Sequence, residues 1–130
     1  MRYQRYPPLV GAALVLGACD VANTGDLVCP DYFEFGLHIT VQDSLTGLPA
    51  ASGAQLIVQD GSYADTVNVP ANRPDLNAHP LPSAGERAGT YTVSVHKAGF
   101  VDWVRTGIVV TADKCHVRPV ALTARLRRSP

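Results

Sequence analysis

Apolar and polar residues alternate with a period of two along much of the chain. The clearest case is residues 90–96, in which Tyr91, Val93 and Val95 alternate with polar side chains. That period is typical of a β-strand with one buried face. A turn with glycine at residues 98–99 and two aromatic residues then lead into the next segment.

Five other segments have the alternation or composition of strands: residues 36–42, 54–60, 63–69, 104–111 and 117–126. After the first 18 residues, no segment shows the period of 3.6 that an amphipathic helix requires. Short strands separated by turn residues about every ten positions are typical of sandwiches. We therefore predict an all-β fold, a single antiparallel Greek-key β-sandwich of about seven strands.

Two stretches are less regular. Residues 32–35 are either an early edge strand or a plug over the core. Residues 70–86 carry four prolines and no alternation, so we predict a long irregular loop, which is usually functional or disordered. At its end, Glu86 and Arg87 are expected to form a local ion pair.

The first 18 residues contain two arginines, followed by an apolar run at residues 9–18 and then Cys19. Ten apolar residues are too few to span a bilayer, which takes about 20 in a helix. The order of basic, apolar and small residues is instead that of a cleaved export signal. The alternative to a lipoprotein signal is an ordinary secretory signal with an unrelated cysteine.

Residues 16–19, Leu-Gly-Ala-Cys, resemble the lipobox of bacterial lipoproteins. The resemblance implies cleavage between Ala18 and Cys19 and lipidation of Cys19, and several acyl chains anchor a protein stably where one does not. The chain then divides into a signal peptide at 1–18, a lipidated tether at 19–35 and a domain at 36–130. We expect it in the bacterial cell envelope, on a membrane and facing the periplasm or the exterior.

Two cysteines remain, Cys29 and Cys115. In a chain exported to an oxidising compartment, an even pair predicts a disulfide. It would join the start of the domain to the last strand and close a loop of more than 80 residues. The alternative is a metal site that adds His116, although the close paired spacings of structural zinc sites are missing.

Three pieces of the chain, residues 40–61, 86–103 and 115–126, carry a further resemblance. The second contains Gly-Thr-Tyr-Thr-Val-Ser-Val followed by Ala-Gly-Phe. Together they resemble the carboxypeptidase regulatory-like (transthyretin-like, or prealbumin-like) sandwich domains of bacterial surface proteins, over about residues 36–126. The resemblance implies a fold and a supporting or binding role, and it implies no catalysis.

Composition argues against several classes of function. The chain has 11 basic and 11 acidic residues; residues 1–18 hold two of the basic ones and no acid, so nine remain against eleven. Nucleic-acid binding rests on clustered Lys and Arg, and we predict none. No nucleophile elbow, His-Glu-x-x-His, phosphate loop or dinucleotide fingerprint occurs, so we predict no enzyme and no cofactor.

Two groups of residues are candidate binding sites. Tyr63, Phe100 and Trp103 lie at predicted strand ends or turns, where they either form a platform for sugars or simply cap the core. His38 and His96 lie on the polar faces of their strands; if those strands are neighbours, the two rings could hold a metal, and the alternative is plain exposure to solvent.

These observations favour a non-enzymatic, membrane-anchored lipoprotein with a structural or binding role. Its partner would be the membrane, through the lipid, and an envelope protein or glycan, and we expect a monomer. The first alternative is a carbohydrate-binding module that uses the aromatic residues and the 70–86 loop. The second is a secreted metal-binding protein.

Overall fold

The computed structural model describes residue 25 and residues 27–130. This part of the chain forms seven strands and one short 3₁₀ helix at Pro74–Leu76. The strands are β1 (Phe35–Asp43), β2 (Ala54–Asp60), β3 (Tyr63–Asn68), β4 (Leu81–Gly85), β5 (Gly89–Lys97), β6 (Trp103–Val110) and β7 (Val120–Leu126). The predicted all-β class and the number of strands are confirmed. The predicted signal peptide and Cys19 lie outside the described residues.

The strands form two sheets. One has three strands in the order β4-β1-β7, and the other has four in the order β3-β2-β5-β6. Every pair is antiparallel except β1 and β7, which run parallel from Leu37↔Val120 to Asp43↔Leu126. The prediction of a wholly antiparallel fold is therefore wrong for this pair, because both strands leave the end of the molecule where Cys29 and Cys115 are joined.

The core lies between the two sheets and follows the predicted alternation. The fully buried side chains of the central strands are Leu37, Ile39 and Val41 of β1, Leu56 and Val58 of β2, and Tyr91, Val93 and Val95 of β5. Each sits two positions from the next, as the pleat of a strand requires. The predicted inner faces of residues 36–42, 54–60 and 90–96 are confirmed.

The prediction of an irregular loop over residues 70–86 is wrong in its second half. Leu81–Gly85 is strand β4, which pairs with β1 and buries Leu81, Ser83 and Ala84. Pro82 is tolerated because β4 is an edge strand with β1 as its only neighbour. A proline on an edge leaves no partner without its hydrogen bond.

Within the described residues, no helix is both long enough and apolar enough to cross a membrane.

Candidate functional site

The segment before β1 is joined covalently to the loop before β7. Cys29 and Cys115 form a disulfide with their Cα atoms 5.2 Å apart, across a sequence separation of 86. The predicted pairing is confirmed. The alternative metal site with His116 is wrong, because both sulfur atoms are used in the bond.

His116, next to Cys115, makes the second connection to the same segment. Its Nδ1 lies 2.8 Å from Oε1 of Glu86, and its Nε2 lies 2.9 Å from the carbonyl oxygen of Pro30. Both partners are hydrogen-bond acceptors, so each ring nitrogen must donate a proton. The two bonds together therefore require the imidazolium form of His116, whose side chain is only 11% exposed.

The charges at this site stabilise each other. The hydrogen bond that His116 donates to Glu86 raises the pKa of His116, and its bond to the carbonyl of Pro30 acts in the same direction. In turn, His116 holds the pKa of Glu86 below its usual value, helped by the backbone N–H of Glu34. The ring of Tyr32 stacks on the imidazole with centroids 4.0 Å apart.

Glu86 makes the third connection. Its carboxylate accepts a hydrogen bond from the N–H of Glu34 at 2.7 Å, and its own N–H donates to the carbonyl of Glu34 at 2.8 Å. We call this set of three connections the attachment site, formed by Cys29, Pro30, Glu34, Glu86, Cys115 and His116. Residues 29–35, assigned to the tether from sequence, are thus bound to the domain.

The predicted ion pair between Glu86 and Arg87 is wrong. Glu86 binds His116, while Arg87 lies 2.7 Å from Oδ2 of Asp60 and donates to the hydroxyl of Tyr91 at 2.9 Å. The two neighbouring side chains point to different partners because residues 86–88 form the turn between β4 and β5. Arg87 therefore stabilises the sheet of β2 and β5, and Glu86 stabilises the attachment site.

A shallow pocket of about 390 Å³ lies beside the disulfide. Leu27, Pro30 and Tyr32 line one side, and residues 113–116 line the other. The carboxylate of Asp113 is already occupied, because it accepts hydrogen bonds from the N–H groups of Cys115 and His116. These two bonds hold the pKa of Asp113 below its usual value, so this carboxylate fixes the loop before β7.

The three aromatic candidates do not share one surface. Tyr63 packs edge-on against Tyr91, at the end of the four-stranded sheet where β2 finishes. Trp103 pairs with Val95 at the opposite end, and Phe100 lies near it in the β5–β6 turn. All three are half-buried and pack against the core.

The two histidine candidates are not brought together either. His38 lies on β1 and His96 on β5, so the two strands belong to different sheets and the condition under which the rings could share a metal is not met. His96 instead lies 2.8 Å from Asp102, and His38 lies 3.7 Å from Glu34. Among the residues that the structure describes, no group of three or more His, Cys, Asp or Glu side chains could hold a metal ion.

Sequence reasoning missed a group of exposed apolar side chains near the attachment site: Leu27, Val28, Tyr32 and Phe33. Leu27 and Val28 lie in the part of the tether interpreted from sequence as polar, and Tyr32 and Phe33 lie in residues 32–35, interpreted as an edge strand or a plug over the core. The available signal was the occurrence of two apolar pairs, Leu-Val and Tyr-Phe, on either side of a cysteine expected to form a disulfide.

A comparison with protein-family models found no match, and a comparison with curated protein sequences found none either. The resemblance of residues 36–126 to carboxypeptidase regulatory-like domains therefore remains a proposal.

Proposed function

We propose that this chain is a non-enzymatic, lipid-anchored envelope protein that displays one β-sandwich outside the cytoplasm. The observation that carries the proposal is the Cys29–Cys115 disulfide. Disulfides form and persist in oxidising compartments and are rare in the cytosol. The bond therefore supports the export that the N-terminal pattern predicts.

The position of the disulfide also fits a lipid at Cys19. Nine residues separate Cys19 from Cys29, and even a fully extended chain spans only about 35 Å over that length. A domain joined at Cys29 would therefore stay close to the bilayer. The connections through His116 and Glu86 fix how the domain is oriented relative to the last residues of the tether.

Polar side chains in the attachment site and in the adjoining loop before β7 support a structural role. Glu86, Asp113 and His116 all bond to other parts of the protein. In the described residues, no buried side-chain nitrogen or oxygen atom lacks a hydrogen-bond partner. Groups poised for catalysis usually combine a strongly perturbed pKa with an open cleft and a free partner. Glu86, Asp113 and His116 instead use their polar atoms in hydrogen bonds within the protein.

The two-sheet architecture supports the finer assignment of the fold. Sheets of three and four strands enclose a single core in a domain that begins near residue 29. We propose that this is a Greek-key sandwich of the carboxypeptidase regulatory-like type. Its role is structural or adhesive, with an envelope protein or glycan as partner.

Cell fractionation of a bacterial host that expresses the full chain tests the anchor. The wild-type protein is expected in the membrane fraction, released by detergent and not by salt, because acyl chains hold it there. The Cys19→Ser variant is expected to lack the mature, membrane-bound form, because it has no thiol to carry the lipid.

A matched control removes the two disulfide cysteines and leaves Cys19, the proposed site of the lipid, unchanged. The double variant Cys29→Ser/Cys115→Ser loses the disulfide and is expected to stay in the membrane fraction. If Cys19→Ser distributes like the wild type, the lipid anchor is excluded.

A further inference from the structure

Four large apolar side chains are exposed within seven residues at one end of the molecule. The exposed fractions are 59% for Leu27, 86% for Val28, 53% for Tyr32 and 63% for Phe33. Single exposed apolar residues are ordinary, but a cluster of them marks a contact surface. We call these four residues the N-terminal apolar patch.

The patch is held on the folded domain. Leu27 and Tyr32 line the same pocket beside the disulfide, and Tyr32 stacks on His116. Phe33 lies directly over Gly85, where any added side chain would collide with its ring. Leu27, Tyr32 and Phe33 thus lie against the folded domain, and Val28 directly precedes the disulfide-bonded Cys29.

The place of the patch in the chain identifies what covers it. Only seven residues lie between Cys19 and Leu27, so a lipid on Cys19 would hold the patch within about 29 Å of its own attachment point. Exposed Leu45 and Leu48 follow the far end of β1, nine residues long, and so lie at the opposite end of the domain. A lipid anchor at Cys19 therefore keeps the patch close to the surface of the bilayer.

Charge at this end is consistent with an apolar contact. The described charged and titratable groups next to the patch, or in contact with those neighbours, are Asp31, Glu34, His38, Glu86, Arg87, Asp113, Lys114, His116 and Arg118. Acidic and basic groups are close to balanced, Glu86 and Asp113 are bonded internally, and Arg87 is paired with Asp60. Attraction to anionic lipids requires clustered Lys and Arg, so burial of apolar surface is the driving force.

We infer that the N-terminal apolar patch inserts into the interfacial region of the bilayer and holds the domain with its disulfide end against the membrane. Tyrosine is suited to this depth, since an aromatic ring with a polar tip fits the boundary between headgroups and acyl chains. Phenylalanine has no polar tip, but it is one of the residues with which interfacial segments bury their apolar face in the membrane. The inference rests on the proposed lipid anchor. It adds a fixed orientation, in which the β1–β2 turn faces away from the membrane.

Fluorescence quenching by lipid tests the orientation. The full lipidated protein, with Trp103→Phe to remove its own indole, receives one tryptophan at Val28→Trp or at Leu45→Trp. These positions are matched, with exposed fractions of 86% and 81%. In phosphatidylcholine vesicles with brominated acyl chains, Val28→Trp is expected to lose emission several-fold while Leu45→Trp is unchanged. Replacing part of the lipid with an anionic one is expected to leave this difference unchanged.

The other outcomes of this experiment overturn the orientation alone, or the orientation together with the lipid anchor. If the protein sediments with the vesicles and both probes are quenched equally or neither is quenched, the orientation is wrong and the anchor stands. If the protein stays in the supernatant, the anchor and the orientation both fail. A further outcome is measured in detergent, without vesicles. If Val28→Trp is shielded there from a water-soluble quencher, and the protein is a dimer that the Phe33→Ser change abolishes, the patch binds a second copy of the chain instead of lipid. The variant Phe33→Trp provides a second probe should Val28→Trp fold poorly.

Discussion

At the scale of single residues, His116 does the most to define the candidate site. Its ring joins the carbonyl of Pro30 to the carboxylate of Glu86, and these two acceptors require both ring nitrogens to be protonated. Protonation of one side chain therefore controls a contact between the N-terminal segment and the loop before β7. The consequence is a dependence of stability on pH.

The sign of that dependence follows from the two pKa shifts. The pKa of His116 is raised from its usual value of 6.5, so its contribution is fully present below that pH and is lost as pH rises through the raised value. The pKa of Glu86 is lowered from 4.5, so its contribution is present above that pH and is lost as pH falls through the lowered value. Both contribute fully between these two usual values.

We expect His116→Asn to lower the thermal midpoint by a few degrees at pH 6. The gap to the wild type should narrow as the pH rises through the raised pKa of His116, because the wild-type ring then loses a proton and one of its two bonds. Thermal unfolding followed by circular dichroism across this range measures it. The matched control is His79→Asn, an exposed histidine in the β3–β4 connection. A gap that is constant with pH, or equal for both variants, would show that His116 is not held as an imidazolium.

Local ion pairs were the least predictable feature at this scale. Sequence proximity suggested that Glu86 and Arg87 would pair, whereas Glu86 bonds to a residue 30 positions away and Arg87 to one 27 positions away. Long-range partners depend on the register of strands that are not adjacent in sequence. The disulfide was predictable because, after the cysteine of the signal motif, two cysteines remain.

At the scale of elements, the alternation of apolar and polar residues predicted the strands that have one fully buried face. β1, β2 and β5 have that pattern, and their inner residues were identified correctly. β4 was missed because Pro82 and a short length hide it, although it buries Leu81 against β1. The sequence shows that a proline, which cannot donate a backbone hydrogen bond, lies in this segment. It does not show that the segment is an edge strand, which needs no donor on its open side.

The role of β4 in the core can be measured directly. Leu81 is buried and pairs with Ile39, so Leu81→Ala should lower the free energy of unfolding by about 2–5 kcal/mol. Leu48→Ala, at an exposed position before β2, should change it by no more than about 0.5 kcal/mol. Chemical denaturation of both variants provides the comparison. Equal tolerance of the two changes would mean that residues 81–85 are not part of the core.

At the scale of the whole molecule, the segment at residues 29–34 is part of the fold. The disulfide across 86 positions contributes up to about 4.6 kcal/mol in the chain-entropy model. It brings the start of β1 and the loop before β7 to one end, which is also why these two strands run parallel. Periodicity reveals which face of a strand is buried, but it does not reveal the neighbouring strand, so this pairing could not be predicted.

The same end of the molecule links the fold to the proposed function. It holds the disulfide, the bond between His116 and Glu86 and the N-terminal apolar patch, and Cys19 precedes the first residue of that patch, Leu27, by eight positions in the sequence. A membrane anchor acting at this end would pull on a covalent cross-link and not on a single edge strand. The opposite end, with the β1–β2 and β5–β6 turns, would remain free for a partner in the envelope.

The central claim is that Cys19 becomes the lipidated first residue of the mature protein. The most direct test is the intact mass of the protein purified from the membranes of an exporting bacterium, with sequencing of its N-terminal peptide. We predict a chain that begins at Cys19 and carries a diacylglyceryl group and a further acyl chain. An unmodified Cys19, or a mature chain that begins at any other residue, would contradict the account.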